Sequence, residues 1–149
     1  MCIKKEKIEI EKIKVLIVER IRDPYIKEIE NTLEEKQKIV GGLIDFIELE
    51  DDVDLIFNEE SKINNLEMNR IIKNDIVCGT FIICGQRNGE SISLTDEQIR
   101  KYKSYFKLRN HTIPISLLKN YYKESSNLIN YDLTGVEKLL QLKDLFNRK

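Results

Sequence analysis

The sequence is poor in the features that announce chemistry. It has no run of about 18 apolar residues, which excludes a membrane-spanning helix. Its first residues, MCIKKEKIEIEKIK, mix acids with bases and lack the apolar core of a secretion signal, so the expected location is the cytosol. Cys2, Cys78 and Cys84 leave one thiol over in any intramolecular pairing, and reduced thiols are expected. With His111 as the one histidine and no Cys-x-x-Cys pair, the nitrogen and sulfur ligands of a zinc site are missing. A Cys–His nucleophile needs its base within hydrogen-bond reach, whereas His111 sits among basic residues near the C-terminus. Cys78 and Cys84 are expected on one strand face in the core, where a thiol behaves as a small hydrophobe. Asp51, Asp52 and Asp54 offer hard oxygen ligands without the interior glycine and terminal glutamate of a calcium loop, and aspartates in a tight turn serve their own backbone. Gly41-Gly42 follows a helical pattern instead of opening one, so it cradles no phosphate. No cofactor and no metal are expected. Only unassisted carboxylates remain as acid and base, which ranks an enzyme last.

The 149 residues, 41% apolar and 34% charged, describe one well-solvated domain with an appendage. A chain of this length buries about two thirds of its unfolded surface and needs no staple. The net charge of −1 hides two poles. Residues 45–61 hold eight acids and no base, and residues 98–123 hold seven bases and no acid. A near-neutral total is too weak for a dedicated DNA mimic, and the asymmetry speaks to partners.

Along the chain, Lys14–Glu19 reads as a buried strand, its continuous VLIV suiting cover on both faces. Asp23-Pro24 predicts a helix start, and Ile26, Ile29, Leu33, Ile39 and Val40 carry the helical spacing to a left-handed stop at Gly41-Gly42. Leu43–Leu49 and Val53–Phe57 predict a hairpin in a mixed sheet. Residues 58–70 lose all periodicity. Ile76–Cys84 predicts one central strand interrupted in character by Gly79. Thr95 with Gln98 forms a capping box, and Leu94 with Ile99 a hydrophobic staple, for a helix to about Phe106. Farther on, Leu117, Leu118, Tyr121 and Leu128 fit one helix, and Thr134 with Glu137 opens another. The expected fold is α+β or α/β: a small mixed sheet packed by one long helix at 14–109, a lead-in at 1–13, and a helical extension at 110–149.

Four asparagines among residues 58–70 make this segment the leading candidate site. Asn58, Asn65 and Asn69 offer paired donors and acceptors, Arg70 adds a planar fork, and Glu60 and Lys62 add charge. Gly79 and Thr80 on the adjoining strand would let a ligand approach the backbone. The plainer reading is that asparagines cap turns and accept left-handed backbone. A second candidate is the basic face Arg100, Lys101, Lys107 and Arg109, in a stretch interleaved with Tyr102, Tyr105, Phe106, Tyr121 and Tyr122 as in binders of single-stranded nucleic acid. Its plainer reading is the wet side of an amphipathic helix, with the acidic stripe of a second copy as partner.

The order KVLIVE, KEIENTLE ending in IVGG, NEE-K-N followed by NR, and DI-GTF-I-G resembles a family of small uncharacterised domains common in phages and mobile elements of low-GC Gram-positive bacteria. Ser61 stands where that pattern has glycine, and Glu67-Met68 replaces a proline-containing pair, which implies a differently bent loop. The resemblance implies a setting of host takeover or counter-defence and no reaction. The leading expectation is a non-enzymatic homo-oligomeric binding protein that sequesters a nucleotide-like small molecule. The alternatives are a module inhibiting a host protein and, after that, a nucleic-acid-binding accessory factor.

Overall fold

A computed structural model describes residues 9–73 and 75–108; the expected C-terminal helices and Arg109 lie outside them. Ten elements follow in order: β1 (Lys12–Val18), β2 (Tyr25–Glu30), α1 (Leu33–Val40), β3 (Ile44–Glu50), β4 (Val53–Asn58), β5 (Met68–Ile72), β6 (Asp75–Cys78), β7 (Phe81–Arg87), β8 (Glu90–Ile92) and α2 (Asp96–Tyr105). The main sheet runs β2-β1-β7-β4-β3, with β8 beside β7, and β5–β6 form a separate hairpin. Every pairing is antiparallel.

This architecture is mainly β and corrects the expected mixed sheet with one long helix. Residues 25–30 lie opposite 12–17, so Lys12 faces Glu30, Lys14 faces Glu28, and Ile29 is buried against Ile13. Cross-strand pairs of this kind stabilise a ladder, and they outweigh the helical spacing of Ile26 and Ile29. The true helix start is Thr32, whose hydroxyl accepts from Glu35 N–H at 3.2 Å. Asp23 caps no helix; it accepts from Leu108 N–H at 3.0 Å. The stop at Gly41 (φ 83°), the β3–β4 hairpin and the Thr95 capping box stand as expected.

The continuous apolar run of β7 is explained by cover on both faces. Phe81 and Ile83 pack with Leu16, Leu55, Ile99 and Phe106 beneath α2 and the β5–β6 hairpin. Ile82 and Cys84 point the other way, to Val15, Ile17, Ile56 and Val40 beneath α1. Phe81 meets Phe106 edge-to-face at 5.4 Å, an arrangement that adds to the burial of both rings.

The single strand expected over Ile76–Cys84 is two strands. Gly79 adopts φ 75°, its N–H donates to Glu67 O at 2.8 Å, and the chain leaves the hairpin for the main sheet. A Cβ there would sit 2.8 Å from Leu66 Cδ1. Gly79→Ala therefore costs roughly 1–2 kcal/mol from the left-handed backbone alone, measured as a lower urea midpoint. Inside an uninterrupted strand the same change would stabilise by about 0.5–1 kcal/mol, so the sign of the shift decides the point.

Candidate functional site

The Asn-rich segment is built into the scaffold at several points. Asn58 is buried at the end of β4, where its Nδ2 donates to Val40 O at 3.3 Å and its Oδ1 accepts from Glu60 N–H at 2.9 Å. Asn65 is exposed with φ 55°, the left-handed role asparagine tolerates in turns. Glu60 and Lys62 are also exposed, and Lys62 Nζ bonds Asp75 Oδ1 at 2.8 Å. Partial burial pushes the Asp75 carboxyl up, but that ion pair and the Ile76 N–H outweigh it and hold it below its usual value.

Asn69, Arg70 and Gly79 do come together. Asn69 Nδ2 donates to both Val18 O and Gly79 O at 2.8 Å, and its Oδ1 accepts from Arg70 Nη1 at 2.6 Å. Arg70 is fully buried. Its Nε donates to Phe106 O at 3.0 Å, Nη1 to Arg20 O at 3.1 Å, and Nη2 to Arg22 O at 2.8 Å. Burial lowers its pKa, with Asp23 opposing, but a guanidinium stays charged in proteins. The fork thus grips the chain's own carbonyls and not a ligand. Thr80 and Gly79 are half-buried beside it. Arg70→Lys keeps the charge but loses the fork, so urea unfolding should show a loss of roughly 2–4 kcal/mol; a loss below about 0.5 kcal/mol, the range of surface changes, would refute this role.

The two charge poles meet within one chain. Lys101 pairs with Glu50, and Gln98 Nε2 donates to Asp52 Oδ2 at 2.9 Å. The Lys101 bond, then one from Tyr102, hold the Glu50 carboxyl below its usual value, and burial raises the Tyr102 hydroxyl. Tyr102 and Phe106 are core residues, which removes two of the five rings expected to stack on bases; Tyr105 is exposed, and Tyr121 and Tyr122 lie outside the described residues. Arg100, Lys103 and Lys107 make no ion pair among the described residues.

One cluster was not expected from the sequence. Lys36 of α1 is buried, with its Nζ bonded to Ser91 Oγ at 2.9 Å, and Cys84 Sγ approaches the same oxygen at 3.8 Å. Asp54 lies opposite Cys84 in one register and opposite Glu48 in the other. The only advance signal was the aspartate placed in the apolar VDLIF run. Burial, with a smaller effect from Asp54, pushes the Cys84 thiol to about 11, so it is protonated at neutral pH and a poor nucleophile. Burial and then Glu48 raise the Asp54 carboxyl. A raised carboxyl binds protons more readily folded than unfolded, so it weakens the fold at neutral pH, and stability returns as pH falls toward the carboxylate range. Asp54→Asn should raise the melting temperature at pH 7, and that gain should shrink as the pH falls through the carboxylate range; a gain independent of pH would refute this account.

The profile of DUF3846, a domain of unknown function, matches residues 13–107. No curated protein and no solved structure matches the chain.

Proposed function

The chain belongs to the DUF3846 family, and from that premise we propose a non-enzymatic binding module whose partner is an acidic protein surface, held by the outward flank of α2. The observation that carries this reading is the contrast between two sets of cations. Arg70 and Asn69 spend their donors on backbone carbonyls, whereas Arg100, Lys103 and Lys107 are presented without a partner among the described residues. Charges of this kind steer and orient a complementary partner.

A nucleotide-like ligand in the Asn-rich segment is the weaker reading, because its best donors are occupied. Nucleic acid is weaker too, since Tyr102 and Phe106 are buried and, of the expected rings among the described residues, only Tyr105 is exposed for stacking. The setting implied by the resemblance to mobile-element domains makes the partner a host protein in the bacterial cytosol, and the role host takeover or counter-defence.

A photo-crosslinking amino acid at Lys103, in cells of a low-GC Gram-positive host, should give discrete nuclease-resistant protein adducts. They should disappear when Arg100→Glu and Lys107→Glu are added. Adducts that nuclease removes, or that survive the charge reversal, reject the proposal.

A further inference from the structure

The two edges of the main sheet are treated differently. On β3, Glu59 N–H donates to Leu43 O, which fixes 43 and 59 as a hydrogen-bonded pair and turns the backbone groups of Ile44, Phe46 and Glu48 outward. That edge is defended. Asp45 Oδ1 takes the Phe46 N–H at 2.8 Å, Lys73 Nζ takes Glu48 O at 2.9 Å, and a register shift follows between Glu48 and Glu50.

On β2, Asn31 N–H donates to Glu11 O at 2.8 Å, which by the same alternation points Ile26, Glu28 and Glu30 outward. There Glu30 O is taken by Thr32 N–H, and no described side chain caps the N–H or C=O of Ile26 or Glu28. Ile26 is about half exposed, at 47%. It lies opposite Leu16, on the face that α2 covers. Gln98 and Lys101 of α2 reach toward the β3–β4 turn. At about 100° per residue, Arg100 and Lys103 fall on the flank of the helix away from the β3–β4 turn, on the side where α2 meets β1, and Lys107 follows just past the helix end.

Resting on the reading above, we propose that the partner contributes an extended acidic segment that adds to the β2 edge as a further strand, bonded to the backbone of Ile26 and Glu28. Strand addition takes its affinity from main-chain bonds and its specificity from side chains on alternate sides. A carboxylate opposite Ile26 meets the α2 flank, and one opposite Lys27 pairs with it on the other face. A second copy of the chain is a poor occupant. In either register that overlaps most of β2, a two-fold places Lys27 opposite Lys27 or Glu28 opposite Glu28, and like charges directly opposite are destabilising.

The test uses the full chain and two capped peptides that read alike in both directions, Thr-Val-Glu-Glu-Val-Thr and Thr-Val-Lys-Lys-Val-Thr, followed by amide hydrogen exchange. The acidic peptide should slow exchange at Ile26 and Glu28 by roughly tenfold or more at saturation, leaving Lys27 unchanged because its N–H already faces β1. The basic peptide should do neither. Ile26→Pro removes an outward donor at an edge position that tolerates proline and should weaken acidic-peptide binding by roughly tenfold. Acidic-peptide binding that leaves the two amides unchanged overturns strand addition and spares the proposed function. No binding, equal binding of the basic peptide, or binding that survives Arg100→Glu with Lys103→Glu and Lys107→Glu overturns both. Ile26 and Glu28 amides already slow without peptide would show the edge occupied by the chain itself and overturn the inference.

Discussion

A buried cation with no carboxylate in hydrogen-bond contact is the constraint around which this domain is arranged. Arg70 lies at full burial and bonds six oxygens from three places: the β1–β2 connection through Glu19, Arg20 and Arg22, its own strand through the backbone and side-chain oxygens of Asn69, and the end of α2 through Phe106. Desolvating a guanidinium costs several kcal/mol, which only good geometry and complete pairing offset. The Phe106 carbonyl is one of the orphan acceptors at a helix C-terminus, where the helix dipole also favours a cation. Carbonyl dipoles thus do the work of a counter-ion. Remove the cation and the β1–β2 connection, the hairpin and α2 lose their common point.

That staple also decides where the remaining charges can act. With α2 fixed at its C-terminal end by Arg70 and along one flank by Glu50 and Asp52, its opposite flank is held outward. The poles that look like a means of joining two molecules are partly spent joining α2 to the β3–β4 turn. The basic surplus on the far side remains to address a partner. Rigid presentation matters here, because a charge on a fixed helix orients an encounter better than one on a loose segment.

Much of the local structure was legible in the sequence, because its causes are local. The Thr95–Gln98 box, the Gly41 stop, the buried β1 run and the β3–β4 hairpin each depend on residues a few positions apart. The fold class was not, because its cause is distant. Nothing near Ile26 says that Lys12 and Lys14 will lie opposite Glu30 and Glu28, and Asp23-Pro24 imitates a helix start closely. A strand buried on both faces has the same apolar signature in a parallel and an antiparallel sheet, so β7 could not reveal the sheet type. The candidate site was misjudged for a related reason. A cluster of amides beside an arginine has the same composition whether it faces a ligand or the chain's own carbonyls, and only the tertiary positions of Val18, Arg20, Arg22 and Phe106 separate the two.

The unequal sheet edges carry the same logic to the surface. An edge needing only protection is served cheaply by local caps, as Asp45 caps Phe46 and Lys73 caps Glu48 on β3. The β2 edge uses charges instead, and charges discriminate where caps merely block. Lys27 and Glu28 repel an identical strand in its main registers yet admit one of complementary pattern, with the α2 flank reinforcing that choice from one side. Two edges of one sheet share the same ladder energetics. A difference between them in side-chain chemistry is therefore a difference in what each edge is permitted to meet.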